Sequence, residues 1–215
     1  MNSLKKFLST QILTSLLLAL LVNSYSTAQG FGIKGGLSYS GQDYEYDIAS
    51  FSVDRLSQSG ITAGIFLTYD VWLLSELRFE FEYVQKGSGV DVLLTTEQYP
   101  EGYERIIIQE RIHYISLNVL ATPTLARNWT LSPYFVIGPR IDILTSTSSN
   151  YPSLVLDDLN PAVLGGTIGI GFKLPLNSSS LLFEGVYNYD FTHAYDKGVL
   201  TVKNNSIQLT TGLSF

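Results

Sequence analysis

The sequence predicts an all-β chain: an eight-stranded antiparallel up-and-down transmembrane β-barrel, preceded by a cleaved signal peptide. Three observations predict it. Apolar and polar residues alternate along eight segments after residue 29, the period of a strand with two unlike faces. The connections between these segments alternate between short and long, as in outer-membrane barrels. One face of each segment carries no Asp, Glu, Lys or Arg, which a lipid-facing surface requires.

The N-terminus reads as an export signal. Lys5 and Lys6 give a positive start, Ile12 to Val22 is an apolar run, and Ser26-Thr27-Ala28 supplies small residues before Gln29. That pattern predicts cleavage after residue 28, leaving a barrel domain over 29–215. The run of about 11 residues is short of the roughly 20 that a spanning helix needs. No later stretch is apolar enough for one.

The strands follow in order. Phe31, Ile33, Gly35, Leu37 and Tyr39 alternate with Gly32, Lys34, Gly36 and Ser38. Ile61, Ala63, Ile65, Leu67 and Tyr69 form the second apolar face, and Leu77, Phe79, Phe81 and Tyr83 the third, set against Arg78, Glu80 and Glu82. The fourth is Ile115, Leu117, Val119 and Ala121; the fifth is Phe135, Ile137, Pro139, Ile141 and Ile143, set against Arg140 and Asp142. Leu164, Ile168, Ile170 and Phe172 make the sixth, and Leu181, Phe183, Tyr187 and Tyr189 the seventh, set against Glu184 and Asp190. Ile207, Leu209, Thr211, Leu213 and Phe215 close the series. Long connections are expected at 41–58, 87–105, 145–161 and 191–205, and short ones at 70–75, 123–130 and 175–179. This places both chain ends on the periplasmic side.

A soluble barrel would show the same alternation inverted. Its polar face would then meet water and need many charges. Here that face is rich in Gly, Ser and Thr, and charged residues are only 15% of the chain, against about 25% in soluble domains. Gly weakens a solvated strand but suits a crowded lumen. Tyr39, Tyr69, Trp72, Tyr83, Trp129, Tyr187, Tyr189 and Phe215 fall near strand ends, where aromatic girdles meet the membrane interfaces.

The inward charges are the candidate site. Lys34, Arg78, Lys86 and Arg140 nearly balance Glu80, Glu82, Asp142, Glu184 and Asp190. An eight-stranded lumen is just wide enough for side chains to fill it, and buried charge is tolerated only when paired. The pattern therefore predicts a structural salt-bridge plug. It leaves open whether Arg140 pairs with Glu80, Glu82, Asp142 or Glu184.

Phe31-Gly32-Ile33-Lys34-Gly35-Gly36-Leu37, Phe79-Glu80-Phe81-Glu82-Tyr83-Val84-Gln85-Lys86-Gly87, Pro133-Tyr134-Phe135-Val136-Ile137-Gly138-Pro139 and the Gln208 to Phe215 end resemble, in this order, the small outer-membrane β-barrel family of Bacteroidota, the PorT-like or porin-family barrel domain. Members of that family often carry an acidic residue and a proline after a Tyr in the fourth strand; here Ser116 and Asn118 stand in the segment after Tyr114. The resemblance implies fold and location, and no catalytic or binding residue.

The net charge of −6 argues against nucleic acid. The chain has no Cys, and its two histidines sit in no catalytic motif. His113 takes the lipid-facing phase of the fourth strand, and His193 lies in the last long connection near Asp190 and Asp196. No cofactor, metal or catalysis is expected. The expected role is structural or interactive, with outer-membrane lipid and periplasmic or surface proteins as partners. A narrow pore, a lumen-binding transporter and a lipid-modifying enzyme are the alternatives.

Overall fold

The computed structural model describes residues 30–46, 55–71, 75–96, 99–125, 130–150, 158–196 and 200–215. The expected signal segment, Trp72 and Trp129 lie outside these residues. The alternating segments form strands β1 (Gly30–Tyr46), β2 (Leu56–Val71), β3 (Ser75–Thr96), β4 (Tyr99–Ala121), β5 (Ser132–Ser149), β6 (Ala162–Pro175) and β7 (Ser180–Asp190). A two-residue strand β8 (Tyr195–Asp196) precedes β9 (Leu200–Ser214). Each long strand pairs antiparallel with the next in sequence, and β8 pairs only with β9. β9 then returns to β1, from Gly32↔Ser214 to Tyr46↔Leu200. The result is a closed ring of eight strands with no free edge across its span.

The outward and inward phases agree with the sequence pattern in all eight strands. Leu209 is 64% exposed and Ile168 57%, whereas Gln208 beside Leu209 is 2% exposed. Phe31, Ile33, Ile65, Phe81, Leu117, Ile137, Phe183 and Ile207 also point out. So large and continuous an apolar belt is untenable in water and suits lipid. Tyr39, Tyr187, Tyr189 and Phe215 lie exposed at its margins.

Strand lengths depart from the sequence expectation at the end with the long connections. Residues 87–105 are mostly ladder rather than loop: β3 and β4, of 22 and 23 residues, stay paired up to Thr96↔Tyr99. About 10 residues suffice to cross a membrane. β2 leaves β3 at Leu56↔Gly89 and β5 leaves β4 at Glu110↔Ser149, so a two-stranded ribbon continues alone. β1, β5 and β9 likewise extend past the expected limits, to Tyr46, to Ser149 and from Leu200. Beyond the lipid a strand needs no continuous apolar face, so it lacks the one-sided alternation of the belt. The connections from β2 to β3, β4 to β5 and β6 to β7 are short in sequence, as expected.

Three ladders shift register, between Ser57 and Thr62 of β2, between Leu94 and Thr96 of β3 and between His113 and Tyr114 of β4. β2 gains a residue against β3 between Ser57 and Thr62, a β-bulge. β3 backbone groups left without β2 find side chains instead. The Ser38 hydroxyl donates to the Gln85 carbonyl at 2.5 Å, and the Gly87 amide donates to the Ser40 hydroxyl at 2.8 Å. The Gln85 side-chain oxygen accepts from the Ile61 amide at 3.2 Å.

The belt makes a direct prediction. Ile168→Arg or Leu209→Arg puts a cation on the lipid face and costs about 2–4 kcal/mol near mid-membrane. Ile168→Phe stays within about 1.5 kcal/mol. Denaturant titration of folding into phospholipid vesicles measures both.

Candidate functional site

The candidate site is the lumen. Lys34, Arg78, Glu80, Glu82, Lys86, Arg140, Asp142 and Glu184 all point into it, and none is more than 9% exposed. They divide into two clusters. Toward the chain termini, Lys34 on β1 meets Glu80 at 2.9 Å, Glu82 at 3.3 Å and Glu184 at 3.9 Å. Arg78 meets Glu80 at 2.7 Å and, across the barrel on β7, Glu184 at 2.6 Å. Two cations thus face three carboxylates. Neutral donors complete the set: Thr62 donates to Glu82 at 2.7 Å, Asn118 to Glu80 at 3.0 Å and Tyr134 to Glu184 at 2.6 Å.

The second cluster sits toward the long connections. Lys86 lies 2.5 Å from Asp142 and 3.3 Å from Asp190, and Arg140 lies 3.2 Å from Asp142 and 2.5 Å from Asp190. Ser116 donates to Asp142 at 2.6 Å and Asn204 to Asp190 at 3.0 Å. Arg140 therefore pairs with Asp142 and Asp190. Glu80, Glu82 and Glu184 are taken by the other cluster, because the strand carrying Arg140 meets β6 at Gly165, directly beside Asp190. Asp190 was visible in the sequence as an inward residue at the end of its strand. Asn118, Tyr134 and Asn204 carried no such signal, since an amide or phenol on the inward phase reads as packing.

Apolar side chains seal the charges at both ends. Phe66, Leu120, Tyr134, Val136, Leu182 and Val186 pack together around the terminus-side cluster, and the Arg78 guanidinium lies 5.4 Å from the Phe66 ring. Glycines make the room: a side chain on Gly32 would enter the Phe66 ring, and one on Gly171 the Tyr134 ring. Ile112 and Tyr114 cover the other cluster, with Leu144 and Leu159 against them. The segment after β7 folds inward above: Ala194 is fully buried and its amide donates to the Val202 carbonyl at 2.7 Å. At the terminus end Lys173 on β6 reaches Glu76 on β3 at 2.7 Å. Beside it a cleft of about 10 Å³, lined by Phe66, Arg78 and Tyr134 among others, holds room for about one water.

The histidines lie apart from this machinery. The His113 Nδ1 shares a hydrogen bond of 2.6 Å with the Tyr83 hydroxyl on the outer face. His193 lies 3.8 Å from Asp196 in the connection before β9. Among the described residues no group of three His, Asp or Glu could hold a metal ion.

The lumen clusters lend themselves to a double-mutant cycle. Arg140→Met leaves Asp190 and Asp142 short of a buried partner and destabilises the barrel by about 3–5 kcal/mol. Adding Asp190→Asn restores much of that loss, while Glu80→Gln in place of Asp190→Asn does not. Urea unfolding from lipid bilayers gives the coupling energies.

The outer membrane protein beta-barrel domain family matches residues 26–196. No curated protein sequence matches the chain. Among solved structures, the chain is similar to OprG from Pseudomonas aeruginosa, at 17% identity over 88% of this chain and 97% of that one, with a TM-score of 0.45. It is also similar to Ail of Yersinia pestis in complex with sucrose octasulfate, at 15% identity over 86% and 98%, with a TM-score of 0.41. Neisserial surface protein A follows at 14% identity over 86% and 95%, with a TM-score of 0.41. Likeness at this level carries no inference about what the chain does.

Proposed function

The chain belongs to the outer membrane protein beta-barrel domain family and resides in the bacterial outer membrane, and from that premise we propose a structural or interaction role with a closed lumen and no catalysis. The observation that carries this reading is the pairing of the lumen charges. Lys34 and Arg78 on one side, and Lys86 and Arg140 on the other, bridge strands around the ring through their carboxylates. A conducting lumen would need hydrated, mobile charge; these groups are paired, buried and covered by apolar side chains. The network serves as an internal brace.

The long connections and the β3–β4 ribbon face outward from the cell in this reading, and the turns face the periplasm. A ribbon much longer than the membrane requires is material for contact with a surface partner. Residues 1–28 act as the export signal, so the mature chain begins at or next to Gln29. The four segments resembling the PorT-like barrels support a kinship with the small barrels of Bacteroidota.

Three measurements test this. Wild-type protein in planar bilayers should show conductance near background; steady single-channel current would establish the pore reading instead. The chain has no Cys, so single cysteines report orientation cleanly. Asp91→Cys in the ribbon should react with a membrane-impermeant maleimide on intact cells, and Asn177→Cys in the β6–β7 turn only after permeabilisation. The intact mass of membrane-extracted protein should lack residues 1–28.

A further inference from the structure

Arg111 differs from most of the described cations. The lumen cations, Arg55, Arg105 and Lys173 each have a carboxylate within 4 Å, whereas Lys203 has only a ladder position opposite Asp43. Arg111 has no carboxylate partner among the described residues. It lies exposed on the outward face of β4, opposite Gly87 on one side and Ser148 on the other. Gly87 offers no side chain there, so Gln58 reaches across it from β2. With its amide turned to suit both neighbours, Gln58 donates to the Glu110 carbonyl at 2.8 Å and accepts the Arg111 Nε–H at 3.0 Å. The Nε is thereby held, and the two terminal amines of the guanidinium have no partner among the described residues.

Two residues nearer the belt on the same face is His113. Its Nδ1 is tied to Tyr83, whose hydroxyl also accepts from Gln85 at 3.0 Å. The other ring nitrogen, Nε2, is left over. Immediately below begins the apolar belt, with Phe81 and Leu117 exposed. A lipid with its acyl chains against Phe81 and Leu117 brings its headgroup beside His113 and Arg111. An anchored arginine fork suits phosphate oxygens in a bidentate geometry.

We propose that the outward face of Arg111 and His113 binds the phosphomonoester headgroup of a lipid in the outer leaflet. The leaflet rests on the orientation given under the proposed function; the binding does not.

Native mass spectrometry of the purified barrel tests it, with phosphatidic acid as the probe and phosphatidylcholine and inorganic phosphate as the other arms. Wild type should retain one phosphatidic acid, in preference to phosphatidylcholine and undisplaced by millimolar inorganic phosphate. Arg111→Gln should cut retention about tenfold with an unchanged unfolding temperature. Arg105→Gln, on the same face but paired with Asp91, should leave retention unchanged. Equal retention by Arg111→Gln and wild type would overturn the site, as would equal retention of phosphatidylcholine. Displacement by inorganic phosphate would overturn the lipid as its source. Labelling of Asp91→Cys only after permeabilisation would overturn the leaflet and the proposed orientation, leaving the binding result intact.

Discussion

Everything in this molecule depends on β9 meeting β1. In hydrocarbon no water can satisfy a free amide or carbonyl, so a sheet can span only if its first and last strands join. The joint runs along the full length of both strands, and the terminal residues bond as well: the Phe215 amide donates to the Phe31 carbonyl at 2.8 Å. Closure also creates the inside. Once the ring exists, one face of every strand must meet lipid and the other must fill a narrow tube. The strict period of two in the sequence is the trace of that division.

The outward face was fully legible in the sequence, and the inward one only in part. A lipid-facing residue has one requirement, to be apolar, so Ile33, Phe81, Ile168 and Leu209 announce themselves. An inward residue has no single requirement. Some are ions, such as Lys86, some are gaps, such as Gly171, and some are large and apolar, such as Phe66 and Ile112. The inward charges could be named from their phase, but their partners could not. Partnership depends on the stagger of strands around the ring, which brought Arg140 to Asp190 rather than to Glu80 or Glu184. Strand ends were hidden for a related reason. Above the lipid neither face is constrained, so Val90 to Leu94 and Ile106 to Ile108 of the β3–β4 ribbon lack the one-sided alternation that marks the belt.

The Gln85-Lys86-Gly87 segment shows how three neighbours can serve three surfaces. Gln85 faces out, and its side-chain oxygen accepts the Ile61 amide of the bulged β2. Lys86 faces in and ties Asp142 to Asp190. Gly87 has no side chain, and its backbone amide bonds Ser40 while its bare outer side lets Gln58 pass. The sequence marks this stretch as part of a family resemblance, whereas the reasons for each residue lie in the broken ladder around it.

The terminus-side charge cluster draws on strands at opposite ends of the chain: Lys34 and Glu184 come from the first strand and the seventh. That cluster cannot be completed while the ring is open, because Lys34 and Glu184 arrive on strands that only the seam brings together. Until then the same ions must stay hydrated, and a half-built barrel would carry unpaired charge into lipid at a cost of several kcal/mol per ion. Assembly is thereby pushed toward an all-or-none event in which the seam zips and the interior dries together. Long-range pairing of this kind is slow, so a ring whose buried ions meet their last partners at the seam is expected to close slowly.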